Sequence, residues 1–246
     1  MDPAAHQAEA SVQSSHWWFE GRRRILETLL DGLDLDPDAA LVEVGCGTGA
    51  NVPVLRKFGK TLGLDRSRQA LETARDAFDH VLLADADRLP LASDSTGLVC
   101  ALDVVEHLDD DLGALKEMVR VLRPGGKLLV FVPAFRFLWG LQDEMSHHKR
   151  RYRKGQIMDL VRRSGARVLR AGYFNFWLFG PIALARALWR LHPVQAPSEN
   201  LWTPQWVDRP LARLFASERH VLARWSPPFG VSAFVVAEKP SETSGQ

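Results

Sequence analysis

Three glycines at alternate positions, Gly45, Gly47 and Gly49, follow the short apolar run Leu41–Val44 and lead into residues at helical spacing, Val52, Leu55 and Phe58. A buried strand that turns sharply through glycines lets a ligand lie against bare backbone. The free N–H groups at the start of a following helix then favour a polar or anionic group. That chemistry suits a nucleotide-like cofactor. Asp65 stands about 20 residues beyond Gly45, after a second apolar run, Thr61–Leu64, where a carboxylate commonly takes ribose hydroxyls. Asp85 ends a third run, Val81–Ala84, where it suits an exocyclic adenine amine while the Ala86 backbone meets the ring. A fourth run, Leu98–Leu102, ends in Asp103. One Asp at a strand end reads as a cap or turn residue, but three in succession after a glycine loop read as a site.

A second group of residues could move protons or hold an acceptor. Asp103, Glu106, His107, His147 and His148 are the acid–base candidates. His107 lies in VVEHL, where the alternative is a helix residue packed on the glycine loop. His147 and His148 share a polar segment with Arg150, Arg151 and Tyr152. That segment is either a solvated basic face or a cradle for an anionic acceptor such as a carboxylate, sugar phosphate or lipid headgroup. Arg22 to Arg24 read as a helix face. Trp17, Trp18 and Phe19 divide between core and a lid over a cationic cofactor. No Cys/His grouping has metal-ligand spacing and there is no nucleophile elbow, so neither a metal site nor acyl-enzyme chemistry is expected.

The elements that must position these residues alternate regularly. Helical spacing marks Trp18–Leu33, Ala70 to Phe78, and Asp110–Leu122, the last stopped by Pro124-Gly125-Gly126. A fifth strand follows at Lys127–Val132, and two more are expected at Arg167–Phe174 and Val231–Glu238. Short apolar strands alternating with helices predict a parallel, doubly wound α/β sheet, with ligands beyond the carboxyl ends of the strands where strand order reverses. Residues 175–230, rich in Trp and Pro, are too long for a simple connection and read as a helical insertion or lid.

Composition sets bounds on this reading. The chain has 246 residues, 46% hydrophobic and 25% charged, with a formal net charge of +1, which fits one globular domain and argues against a dedicated nucleic-acid binder. Two cysteines, Cys46 and Cys100, sit in or beside apolar runs, which favours a reducing, cytoplasmic setting. The polar stretch 1–15 is not expected to be a signal peptide and reads as a disordered tail, as does 240–246. No apolar stretch reaches the roughly 18 to 20 residues of a membrane-spanning helix. The nearest, Phe176 to Trp189, is interrupted by Pro181 and Arg186. It reads as a buried or lid helix, or as an interfacial helix whose Arg186 and Arg190 meet a membrane surface.

The glycines alone leave the cofactor open. Gly45 to Ala50 satisfies the G-x-G-x-x-G/A pattern, so an NAD(P)-dependent oxidoreductase is one reading. Two features count against it: a long N-terminal segment with an aromatic helix, and a third glycine after only one intervening residue. EVGCGTG, GLD, the Asp85-Ala86 pair, LPLASDSTGLVCALDVVEHL and VLRPGGKLLVFVP resemble, in order and spacing, the class I S-adenosylmethionine-dependent methyltransferases. The resemblance covers Leu41 to Pro133 and is greatest to the small-molecule group that includes the quinone-biosynthesis methyltransferases. It departs at Thr96-Gly97, where that group has Phe-Asp. HWWFEGRRRILETLL and FRFLWGLQDEMSHHKRRYRKGQIMDLV are similar to a bacterial subgroup associated with polysaccharide or lipid-linked glycan metabolism.

That resemblance implies a Rossmann-like sheet of seven strands, mostly parallel with an antiparallel last strand, in a single methyltransferase domain over 16–239. It implies S-adenosylmethionine as cofactor and S-adenosylhomocysteine as product. Gly45, Gly47 and Gly49 would line the methionine part, Glu43 brace the loop, Asp65 hold the ribose, and Asp85 with Ala86 the adenine. Cys46 and Arg66 complete the cofactor set, and Asp103 lies beside the methyl-bearing end. The acceptor is expected to be a small molecule or linked to a lipid or glycan. It would meet catalytic candidates His147, His148, Asp103 and His107 and contacts from Trp17, Trp18, Arg22, Arg150, Arg151 and Tyr152. No nucleic-acid partner is expected. The reading leaves room for a homodimer and for peripheral contact with the inner face of the membrane through 176–189. A non-catalytic S-adenosylmethionine-binding regulatory subunit is the alternative from a different class.

Overall fold

A computed structural model describes residues 16–191 and 205–241. The expected tail over 1–15, most of the one over 240–246 and part of the 175–230 insertion lie outside the described residues. Along the chain the elements are α1 (Trp17–Asp31), β1 (Leu41–Val44), α2 (Val52–Leu55), β2 (Thr61–Asp65), α3 (Arg68–Ala74), β3 (His80–Leu83), β4 (Thr96–Leu102), α4 (Asp111–Val121) and β5 (Leu122–Pro133). They continue with α5 (Leu141–Met145), α6 (Lys154–Arg163), β6 (Arg167–Phe174), α7 (Phe179–Leu191), α8 (Gln205–Leu222) and β7 (Ser232–Glu238).

The seven strands form one sheet in the order β3-β2-β1-β4-β5-β7-β6. β1 to β5 are parallel, and β7 runs antiparallel to both its neighbours. The chain leaves β1 toward one edge and returns at β4 toward the other, so the switch point lies between the carboxyl ends of β1 and β4. Alternation along the strands divides the core. Val99 and Ala101 of β4 face α4 and α6, packing with Leu115, Met118, Ile157 and Val161. Leu98, Cys100 and Leu102 face α1 and α8, packing with Ile25, Leu26, Leu30 and Phe215. Each such side chain contributes about 1.5–3 kcal/mol by leaving water, which anchors α1 against the sheet at a fixed height above the switch point.

Several boundaries differ from the sequence reading for local reasons. The helix after the glycine loop is a single turn, Val52–Leu55, with Pro53 near its start. It gives way to tighter turns in which Lys57 N–H donates to the Val54 carbonyl and Phe58 N–H to that of Leu55. β3 stops at Leu83, so Ala84 and Asp85 belong to the turn beyond it, closed by the Asp85–Arg88 bridge. α4 ends at Val121 and the extended run begins at once at Leu122, passing through Gly125 at φ 78. α1 approaches α8 closely at Gly21, where a Cβ would stand 2.3 Å from the Phe215 ring.

Candidate functional site

At the end of β1 the backbone folds onto β2, and Gly45 and Cys46 both donate to the Leu64 carbonyl at 2.7 and 3.0 Å. Gly45 has φ 70, and a Cβ there would meet Val104 at 2.3 Å, so the position accepts only glycine. Gly47 has φ 52 with nothing within 4 Å of where a Cβ would stand, because the space beyond it is cavity. Gly47 N–H donates to Asp65 Oδ2 at 2.9 Å and Ser67 N–H to Asp65 Oδ1 at 2.8 Å. Each carboxylate oxygen accepts two hydrogen bonds, so two backbone amides fix Asp65 and leave one lone pair per oxygen. The short α2 contributes little dipole, and loop amides with Asp65 supply the polarity instead.

Behind the loop, Glu43 is 1% exposed and accepts from Asn51 Nδ2 at 2.6 Å, which ties β1 to the start of α2. Burial pushes its carboxyl up to about 7, against the hydrogen bond from Asn51. Cys46 and Gly49 turn away from the cavity: the thiol packs with Val52, Leu71 and Phe78, and Gly49 abuts Ala77. Arg66, Asp85 and Ala86 line the cavity wall.

The other end of the same cavity, about 790 Å3 in all, is walled by α1, the residues after β4, the 142–151 segment and α7. Asp103 ends β4 with φ 59, a left-handed conformation that Asp tolerates better than most residues, and pairs with Arg22 at 2.7 Å. Arg22 is 6% exposed and lies over the Phe131 ring at 5.5 Å. Trp17 and Trp18 line the cavity and also pack on Phe215, so they are core and wall at once.

Beyond Asp103 a 3-10 turn, Val105–His107, carries Glu106 inward and His107 to the cavity. Glu106 is fully buried, and among the described residues neither carboxylate oxygen has a side-chain hydrogen-bond partner. Burial first, then the Asp103 charge, push its carboxyl well above the usual range. The His107 and His148 rings meet edge to face at 4.7 Å, and burial, then His148, lower His107. His148 Nδ1 bonds Asp143 Oδ1 at 2.7 Å, which also accepts from Arg151 Nε at 2.7 Å. Burial alone would raise Asp143, but these two partners outweigh it and hold the carboxyl at about 2. Arg186 of α7 comes within 4.0 Å of Asp143 and donates to the Leu138 carbonyl.

The structure therefore gathers Asp103, His107, His148, Arg151, Arg22, Trp17 and Trp18 at one end. Three sequence candidates stand elsewhere. His147 is exposed and does not line the cavity. Arg150 and Tyr152 both bond Asp111 Oδ2 at 2.9 Å, where they clamp the start of α4 instead of meeting an acceptor. Arg186, which the interfacial reading set beside a membrane, is buried and donates to the Leu138 carbonyl, while Arg190 stays exposed and donates to the carbonyls of Phe137 and Trp139. Asp143 and Arg186 were missed, since neither falls in a periodic pattern with its partners. The fold also brings one ligand atom each of Glu106, His107 and His148 within 4.8 Å of one another, a grouping that spacing along the sequence did not show.

A seven-stranded sheet of this order, with a glycine loop and acidic strand ends at its switch point, defines a Rossmann-like nucleotide-cofactor protein. A methyltransferase domain family matches residues 42–130. Trans-aconitate 2-methyltransferase of Azoarcus sp. (strain BH72) is 30% identical over 210 residues, covering 81% of this chain and 80% of that one. Methyltransferase GfsG of Streptomyces halstedii is 39% identical over 124 residues, 45% of this chain and 44% of that one. The chain spans less than half the length of the first curated relatives it matches. In fold it is similar to a methyltransferase solved in complex with the Trm112 activator of Haloferax volcanii, with a TM-score of 0.65 at 19% identity over 98% of this chain and 97% of that one. The chain belongs to the class I S-adenosylmethionine-dependent methyltransferases, and its cofactor is S-adenosylmethionine. The site fits that cofactor: the open space at Gly47 is one a Cβ would fill, and Asp65 has lone pairs to spare beside it.

Proposed function

We propose that this chain transfers the methyl group of S-adenosylmethionine to a small acceptor that presents a hydroxyl or carboxylate oxygen at the His107–His148 end of the cavity. The carrying observation is that one cavity is lined at one end by Gly47, Asp65 and Ala86 and at the other by Arg22, His107, His148 and Arg151. When bound, the cofactor would supply a sulfonium methyl carbon for in-line attack by an acceptor oxygen lone pair, the carbon–sulfur bond breaking as the carbon–oxygen bond forms, a neutral thioether leaving and the proton of a hydroxyl acceptor passing to solvent. Asp65, pre-set by two amides, accepts the ribose hydroxyls, and Gly47 admits the amino-acid part. Asp85 and Ala86 border the adenine. Trp17 and Trp18 exclude water and favour a cation near their faces. Alignment of this kind is worth about 7–11 kcal/mol in favourable cases.

The acceptor wall is polar, carrying the imidazoles of His107 and His148 and the guanidinium groups of Arg22, Arg151 and Arg186, which suits an oxygen-bearing acceptor better than a hydrocarbon. The trans-aconitate relative, matched over most of both chains, supports a small one. A second reading, a lipid- or glycan-linked acceptor, is favoured by α7: Ile182 and Ala185 line the cavity while Leu184 and Leu188 on the outer side are 61% and 50% exposed. Co-sedimentation with anionic liposomes tests it, and its absence removes that reading.

The test of the main reading is release of S-adenosylhomocysteine across a panel of small hydroxy- and carboxylic acids, with nucleic acids and lipid-linked glycans as further arms. Turnover on a small acceptor is expected. Cofactor binding with no turnover on any class would make the chain a regulatory subunit and overturn the reading.

A further inference from the structure

We infer that Glu106, His107 and His148 form a binding site for one divalent first-row transition-metal ion at the acceptor end of the cavity. Each residue offers one ligand atom, and these atoms lie within 4.8 Å of one another. His148 Nε2 and Glu106 Oε1 are already 3.9 Å apart. Donors on an ion at about 2.0–2.2 Å stand roughly 3.3 Å apart in tetrahedral geometry, so closing the site takes side-chain movements of about an ångström.

The independent observation is Glu106 itself. It is 0% exposed, and neither carboxylate oxygen has a side-chain hydrogen-bond partner among the described residues. Such a group is costly in a folded interior as a carboxylate, and an ion bound there would supply the partner it lacks. The surroundings are those a metal-binding imidazole needs. His148 Nδ1 is held by Asp143 at 2.7 Å, and Asp143 is fixed in turn by Arg151 at 2.7 Å and by the Gly140 N–H at 2.8 Å. That contact places the Nδ1 proton toward Asp143 and leaves the Nε2 lone pair for the ion. The backbone ties the two segments together, Lys149 N–H donating to the Glu106 carbonyl at 2.9 Å.

Two nitrogens and one carboxylate favour ions such as Mn2+, Co2+ or Zn2+ over Mg2+ or Ca2+, which prefer all-oxygen sets. Three protein ligands leave positions open, and His107 and His148 line the cavity, so those positions face the acceptor. An acceptor oxygen taken there would be polarised and would lose its proton to solvent more readily. Only that role rests on the proposed function; the binding of the ion does not.

The experiment is titration of chelator-treated full-length protein with Mn2+, read by electron paramagnetic resonance, and with Co2+, read by its visible absorption, alongside calorimetry with S-adenosylhomocysteine. One ion per chain is expected, weakened at least tenfold in Glu106→Gln and in His107→Ala. Asp143→Asn should weaken it by about 10–100-fold through His148. Cofactor affinity should hold in Glu106→Gln and His107→Ala, which separates failure of this site from failure of the cofactor reading. Wild-type protein that binds the cofactor but takes up neither ion, or an affinity for the ion unchanged in both variants, would overturn the inference.

Discussion

At the cofactor end, the amides of Gly47 and Ser67 fix a single carboxylate, Asp65, and the ligand space exists because Gly47 has no side chain. At the acceptor end the fixed points are side chains from four remote segments: Arg22, Glu106 with His107, Asp143 with His148 and Arg151, and Arg186. The first end is set mostly within Gly45 to Ser67, with Asp85 and Ala86 added by the turn after β3. The second is assembled only by the complete fold and is buried. A cofactor shared across many reactions can be met by backbone geometry, whereas an acceptor needs side chains that can change independently of the sheet.

The contrast can be broken first at Asp143. Asp143→Ala removes the buried carboxylate that His148 and Arg151 both bond and should cost about 3–5 kcal/mol in denaturant unfolding. A loss under about 1 kcal/mol would show that the network is solvated and that the two ends do not differ in kind. The cofactor end should respond in affinity instead. Gly47→Val puts a branched side chain into the ligand space at φ 52 and should weaken S-adenosylhomocysteine binding by about tenfold or more in calorimetry. Unchanged affinity would place the ligand elsewhere.

A smaller effect separates the ends by pH. Glu43 has its folded value raised to about 7 from 4.5, so between these values the folded state holds a proton that the unfolded state has released. Its contribution favours folding below about 4.5, falls as pH rises through that window, and is flat above about 7. Glu43→Gln should flatten part of the fall in stability across the window. An identical slope in the variant would mean that Glu43 ionises normally. Least of all should change with Leu184→Gln and Leu188→Gln on the outer face of α7, which should alter stability by no more than about 0.5 kcal/mol. A larger loss would make that face part of the core.

The same contrast explains what could be read from the chain. The strands, the glycine turn and Asp65 were legible because each is a local pattern: period, glycine spacing and a fixed offset along one strand–turn unit. Asp85 and Asp103 followed from strand ends, though the turn after β3 begins earlier than the apolar run suggests. The acceptor end was half legible. His107 and His148 stood out as residue types, but Asp143 gains meaning only when folded against His148 and Arg151. Arg150 and Tyr152 looked equivalent to Arg151, yet alternate residues of an extended segment point to opposite sides, and these two reach Asp111 instead. The hydrogen bonds of Arg186 and Arg190 to the carbonyls of residues 137–139 were not legible, because an apolar helix flanked by arginines has the same sequence whichever group the cations meet.

The central claim is that the glycine loop with Asp65 holds S-adenosylmethionine, so calorimetric titration of S-adenosylhomocysteine into wild-type protein and Asp65→Ala tests it most directly. One site per chain is expected in the wild type, with affinity lowered at least tenfold in the variant, since hydrogen bonds to a charged group are worth about 1.5–3 kcal/mol. Equal affinity in the two proteins, or no binding by the wild type, would contradict it.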